Sequence, residues 1–262
     1  MPAPILYIPH GGGPMPLLGD PGHLKLIEFL KTVVNRFERP EAILIISAHW
    51  EFQVPALTAG SKPDLVYDYG GFPDEAYQIT YPAPGQPELA RDIAGLLAAS
   101  GLPVHLDDQR GFDHGMFVPL KLMYPDADVP CLQLSLLNHL NAMGHIELGR
   151  ALAPLRKRNV MVLGSGMSFH NLRSFFMPGL VSDEDNLAFQ EWLNEVSTSD
   201  MSEQQRAASL ANWHEAPGGM ACHPRPEHLL PLHVCYGTAN KKAERIFYDE
   251  VIGKPVSGFL WE

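Results

Sequence analysis

Residues 42–51, AILIISAHWE, decide the reading of this chain. An unbroken apolar run with Ile45 beside Ile46 is the pattern of a strand covered on both faces, as in a parallel sheet. The run gives way to His49, followed at once by Trp50 and Glu51. Open α/β sheets bind ligands in the crevice beyond the carboxyl ends of their strands, so His49 is predicted to stand at such an edge. ILYIP, residues 5–9, leads into His10 in the same way, and VMVLGSGMSF, residues 160–169, leads into His170. Strand ends delivering three imidazoles predict one common site.

Outward from that stretch, Gly11, Gly12, Gly13 and Pro14 forbid a helix directly after His10 and let backbone approach a ligand closely. Pro21 opens a helix predicted to run to residue 37. A short strand is expected over 55–59. Residues 61–86 then turn irregular, with four prolines and with Tyr67, Tyr69, Tyr77 and Tyr81. Such segments inside compact domains are usually functional. This one reads either as an aromatic wall for a flat ligand or as a proline-stiffened loop whose tyrosines pack.

The remaining pattern predicts helices over 87–100, 116–123 and 143–158, and strands over 103–106, 129–137 and 159–164. His114 lies in the glycine-bracketed loop 110–115. Further helices are expected over 183–196 and from 202 toward 213, and Pro226, Glu227 and His228 are read as starting the last one. Strand-like residues 246–251 and 256–262 close the chain. The alternation calls for an α/β fold, a three-layer α/β/α sandwich with a mostly parallel sheet mixed at an edge. No repeat or linker interrupts it, so a single domain over 1–262 is expected.

Asp and Glu number 30 against 19 Lys and Arg, a formal charge of −11, and no basic cluster exceeds Arg156, Lys157 and Arg158. Nucleic acid and anionic membranes, which are bound first through phosphate charge, are therefore not expected partners. Cys131, Cys222 and Cys235 form no C-x-x-C pair and no complete disulfide framework. With no secretory signal pattern near residue 1, a cytoplasmic setting is expected. Assembly into a homo-oligomer is left open.

Twelve histidines in 262 residues, many beside Gly, Pro or Asn, point to metal or proton chemistry. Neutral imidazole is the commonest ligand for zinc and iron, and open sites use three protein ligands. A rival cluster, Cys222, His223, His228, His233 and Cys235, fits no zinc-finger spacing, and a chain of this size hardly needs such a staple. Ser165 follows a strand as a nucleophile would, but GSGMS lacks the G-x-S-x-G order. Its glycines are read as close packing around His170.

The motifs PHGGGPM (9–15), SAHWE (47–51), YGGFPDEAYQITYPAPG (69–85), GFDHGMFVPLKLMYPDADVPCLQLS (111–135), LGSGMSFHNL (163–172) and RPEHLLPLHVCYG (225–237) occur in order along nearly the whole chain. Together they resemble the DOPA 4,5-dioxygenase group of the class III extradiol ring-cleaving dioxygenases. The resemblance implies an α/β enzyme that binds one non-haem Fe(II), with Zn(II) also found in this branch, and opens a catechol with O2. It matches His10 and His49 to the first two metal ligands and His228 to the third, with Glu227 or His170 as alternatives for that place. It matches His114 and His170 to the acid/base histidines, with His170 read as base and His114 as acid or oxygen-pocket donor, and the assignment of acid and base between them open.

Tyr69 and Tyr81 are read as walling the ring, and Trp50 as core packing. Arg110 and Arg225 are the candidates for holding a substrate carboxylate. The partners so implied are a small-molecule catechol and O2. Two rival functions use the same residues: a zinc hydrolase with a metal-bound hydroxide, and an inactive metal-binding module. The second gives no chemical reason for keeping all four of His10, His49, His114 and His170.

Overall fold

All five residues of Ile5–Pro9 are buried, and so are the first seven of Ala42–Phe52, which places both strands inside a sheet with no solvent face. The computed structural model describes residues 3–177 and 179–262. Among the described residues the strands are β1 (Ile5–Pro9), β2 (Ala42–Phe52), β3 (Ala56–Thr58), β4 (His105–Asp107), β5 (Cys131–Leu137), β6 (Val160–Gly166), β7 (Glu244–Val251) and β8 (Lys254–Trp261). They form one sheet in the order β4-β3-β5-β2-β6-β1-β8-β7. The central strands β5, β2, β6 and β1 are parallel. Antiparallel pairing occurs at both flanks, β3 on β5 and β8 on β1 and β7. The sheet is thus mostly parallel and mixed, with the mixing on two sides rather than at one edge.

The helices are α1 (Leu24–Val33), α2 (Pro87–Ala99), α3 (His114–Met123), α4 (Ala142–Leu152), α5 (Leu172–Phe176), α6 (Asp183–Thr198), α7 (Glu203–Ala211), α8 (Gly219–Cys222) and α9 (Leu230–Ala239). Two adjacent residues of β6 reveal the layers, because successive strand residues point to opposite faces. A Cβ on Gly164 would lie 2.7 Å from Cys235 Sγ and 2.8 Å from the Pro231 carbonyl, both on α9. Its neighbour Ser165 donates to the Gly115 carbonyl at the start of α3. Helix α9 therefore covers one face and α3 the other, with α4 packed against α9 and α1 against α3. No described helix is long and apolar enough to cross a membrane.

Several boundaries depart from the sequence reading for local reasons. The helix expected over 143–158 stops at Leu152 and continues as a 3-10 turn, Ala153–Lys157, where Pro154 has no N–H to give. The expected helix over 21–37 is likewise α-helical only over Leu24–Val33, between two 3-10 turns. Pro226, Glu227 and His228 form a turn, not a helix start, and α9 begins at Leu230. The carbonyl of His228 accepts from the Met167 N–H at 3.0 Å and from the Tyr7 hydroxyl at 2.9 Å, which ties this turn to the end of β6. Close packing at Gly166 serves the same junction: a Cβ there would lie 2.1 Å from the His228 carbonyl oxygen. The glycines of GSG are thus packed against α9 and His228, not around His170.

Candidate metal centre

At the carboxyl edge of the parallel strands a cavity of about 850 Å³ is lined by five imidazoles, those of His10, His49, His114, His170 and His228. His10 follows β1 and its backbone N–H still bonds to Gly166 across the β1–β6 ladder. Gly11 turns the chain away at φ +85°, and a Cβ on it would strike the ring of His23 at 2.7 Å. His23 itself is buried; Asp20 accepts from its Nδ1–H at 2.7 Å and its Nε2 accepts from the Gly12 N–H at 3.0 Å. The brace that shapes the glycine loop is thus a histidine the sequence reading did not single out.

His49 lies inside β2 rather than past its end, because the strand runs on to Phe52. The pairing of β2 with β5 shifts register between Ile46 and Glu51, an irregularity that re-aims the side chains within it. His114 is the first residue of α3, His170 lies in the loop after β6, and His228 sits in the turn before α9. The ligating atoms of His10, His49 and His114 lie within 4.8 Å of one another, and so do those of His170, Glu227 and His228. The two groups adjoin: the His228 ring centroid is 5.1 Å from that of His10 and 4.9 Å from that of His49. His170 stacks on His228 at 3.3 Å.

Each ring is held from behind. Ser165, having given its proton to Gly115, accepts from Nδ1–H of His10 at 3.0 Å. Asp68 Oδ1 accepts from Nδ1–H of His114 at 2.8 Å, while Oδ2 lies 3.7 Å from Nδ1 of His49. Glu227 Oε1 accepts from Nδ1–H of His228 at 3.1 Å and lies 3.2 Å from Nδ1 of His170. Each of the two carboxylates thus bonds one ring and lies near a second. Neither Asp68 nor this shared use of Glu227 was read from the sequence; the D in YDYGG, four residues before a phenylalanine, carries no motif of its own.

Electrostatics suit a cation. Burial, then the charges of neighbouring imidazoles, hold the pKa of His10 and of His228 well below the ordinary histidine value. Burial and His114 lower that of His49 as well. These rings are neutral with lone pairs to offer. Burial pushes Asp68 and Glu227 up, but the contacts with His114 and His49 in one case, and with His170 and Arg225 in the other, outweigh it and leave both below the usual carboxylate range. With Nδ1 of His10 protonated toward Ser165, its Nε2 is bare, and it lies 3.2 Å from Nε2 of His49. Two imidazole nitrogens so close, with the ionised carboxylates of Asp68 and Glu227 beside the neighbouring rings, fit a divalent metal.

The other predicted residues divide. Tyr69 lines the cavity edge-on to His114, with ring centroids 5.7 Å apart. Tyr81 does not join it: that ring is buried, and its hydroxyl donates to the Tyr124 carbonyl at 3.1 Å. Trp50 is buried and carries Arg110 on its face at 4.4 Å. Arg110 also bonds to buried Asp113 at 3.0 Å, so it braces the core and does not line the cavity. Asp113 in turn accepts from Ser47 at 2.7 Å, two residues before His49. Arg225 does line the cavity, paired to Glu51 at 2.7 Å and 3.3 Å from Glu227 Oε2. Apolar side chains, among them Phe72, Met167, Leu172 and Phe175, supply much of the rest of the wall.

The rival cysteine–histidine cluster is not assembled. Cys222 bonds toward Asn186, Cys235 toward the Leu6 carbonyl, and His233 toward the Leu210 carbonyl.

Residues 4–259 match the family model described as the catalytic LigB subunit of aromatic ring-opening dioxygenase. The chain is 41% identical over 248 residues to 4,5-DOPA dioxygenase extradiol of Beta vulgaris, covering 92% of this chain and 89% of that one. It is 38% identical to the protein of the same name from Escherichia coli K12, with 87% and 82% covered. It is 37% identical to Dioxygenase tasH of Hapsidospora irregularis, with 99% and 85% covered. The crystal structure of uncharacterized protein JW3007 from Escherichia coli K12 superposes with a TM-score of 0.81 at 32% identity, over 99% of this chain and 100% of that one.

Proposed function

The chain belongs to the LigB family of aromatic ring-opening dioxygenases, and we propose that it opens a catechol of the DOPA kind, or a related catecholic acid, with O2 at the five-histidine cavity. The observation that carries this reading is the clustering of five imidazoles: the ligating atoms of His10, His49 and His114 lie within 4.8 Å of one another, and the His228 ring, stacked on His170, is 5.1 Å from that of His10 and 4.9 Å from that of His49. His10, His49 and His228 hold the metal. Two of these rings are backed at Nδ1, His10 by Ser165 and His228 by Glu227, the arrangement that fixes ring orientation and tautomer in metal-binding histidines, while Asp68 lies 3.7 Å from Nδ1 of His49, beyond hydrogen-bond reach. Glu227 then acts through His228 rather than as a ligand itself. Fe(II) is the working metal, and the same nitrogens accept Zn(II). When bound, such a metal would supply Lewis-acid activation of the catechol oxygens and a site for O2.

The protein's own groups handle the protons. His170 takes one from a catechol hydroxyl, and the Glu227 carboxylate beside its Nδ1 stabilises the imidazolium that results. His114 delivers a proton on the opposite side of the cavity, where Tyr69 limits the position of the ring. The apolar wall excludes water that would compete for the reactive positions. Oxygen uptake by anaerobically iron-loaded protein across a catechol panel, with a yellow ring-opened product, is the test. Absence of uptake with every catechol sinks the proposal; hydrolysis of an ester without O2 would favour the zinc-hydroxide reading.

A further inference from the structure

We propose that Asp68 is a positioning residue that fixes the tautomer and pose of His114 and ties that ring to the Tyr69 side of the cavity. A single oxygen, Oδ1, accepts both the backbone N–H of His114 at 3.0 Å and its ring Nδ1–H at 2.8 Å. A carboxylate only accepts, so Nδ1 carries a proton and Nε2 is the nitrogen left for the cavity. His114 opens α3, where a helix leaves its amide N–H groups without intrahelical partners. Asp113, in the capping position, makes no side-chain cap; its carboxylate is engaged by Ser47 and Arg110. Asp68 supplies that acceptor from a distant loop, and the helix start and the ring are held by the same atom.

The loop is firm enough to serve as a mount. The hydroxyl of Tyr67 donates to the Ile79 carbonyl and that of Tyr69 to the Ala76 carbonyl, each at 2.7 Å. Because Asp68 and Tyr69 are adjacent, the bond to His114 also sets the edge-on approach of the Tyr69 ring, 71° to the imidazole. A His114 ring released from Asp68 can flip, presenting either nitrogen to the cavity, and only one arrangement places the mobile proton at Nε2. This inference rests on the reading of His114 as a proton-handling group.

Asparagine separates positioning from charge. In Asp68→Asn the His114 backbone N–H requires an oxygen opposite it, so the amide oxygen and not the NH2 faces Nδ1 as well. In metal-free protein, long-range ¹H–¹⁵N NMR is expected to report the Nδ1–H tautomer of neutral His114 for the wild type and Asp68→Asn, and a mixture for Asp68→Ala. In iron-loaded protein, Asp68→Ala is expected to lower kcat about 10²-fold, with KM within about threefold and metal content unchanged. Asp68→Asn should recover kcat to within about fivefold of the wild type.

An unchanged tautomer in Asp68→Ala overturns the inference. So does an Asp68→Asn loss as large as that of Asp68→Ala, which would make charge the property that matters. Loss of metal from Asp68→Ala overturns it too, since Asp68 would then be acting on His49. The NMR reading needs no turnover, so failure of the ring-opening proposal leaves it independently decided.

Discussion

Histidines occupy two regions of this molecule and behave oppositely in them. In the helical layer behind the sheet, His145 of α4 donates from Nδ1 to the Asn141 carbonyl at 2.7 Å and accepts from the Leu137 N–H at 3.0 Å through Nε2. His233 of α9 lies between the Leu210 and Leu229 carbonyls. His223 contacts the Ser168 carbonyl through Nε2 alone, its buried Nδ1 without a partner. Backbone groups use up both nitrogens of His145 and His233, which act as cross-braces. In the cavity, Ser165, Asp68 and Glu227 engage only one side of each ring. The difference lies in the second nitrogen, which is free for chemistry only where no backbone group claims it.

Exchanging residues between these regions tests that contrast most sharply. His49→Ala is expected to abolish metal binding and lower turnover at least about 10³-fold, while the melting temperature of the metal-free protein changes little. Metal analysis and oxygen uptake check it; full metal occupancy in the variant breaks the comparison. His233→Ala should do the reverse, lowering unfolding stability by about 3 kcal/mol through a buried void and unpaired carbonyls, with metal stoichiometry intact. Urea unfolding beside metal analysis decides it.

The pH response sharpens the contrast further. Burial lowers the pKa of His145 and of His223 from 6.5 to about 3. Between those values the unfolded chain holds protons that the folded chain lacks, so stability falls as the pH drops through that window. From pH 6.5 to pH 5 each ring contributes a loss of up to about 2 kcal/mol, at about 1.36 kcal/mol per pKa unit. Urea midpoints of metal-free protein at pH 7 and pH 5 measure this, and a midpoint that stays level or rises would contradict it.

A smaller effect is expected at Gly115, where a Cβ would lie 2.6 Å from Ser47 Oγ and 3.1 Å from the His49 ring. Gly115→Ala should weaken metal binding about tenfold by displacing His49, as losses of supporting contacts do. Competition with a chelator reads it directly, and unchanged affinity would mean that the strand absorbs the methyl.

Much of this was legible in the chain itself. Apolar runs leading into His10, His49 and the segment before His170 marked both the sheet and the edge where the cavity lies, because parallel strands are buried on both faces and turn polar toward their carboxyl ends. Tyr81 misled: its place in YPAPG suggested a cavity wall, and the ring turned into the core instead. Asp68 and His23 went unread because their importance lies in one hydrogen-bonding oxygen and one ring nitrogen, features with no periodicity and no neighbouring motif.

Composition, patterning and motif order determined the α/β class, the family resemblance and the histidines worth weighing. Which second nitrogens remain open, which carboxylate backs which ring, and which tyrosine faces the cavity were decided only by the tertiary structure. The physical reason is range. Strand burial is set by side chains two residues apart, whereas the partners of His10 and His114 come from residues 155 and 46 positions away. Only the folded sheet brings them within hydrogen-bonding distance.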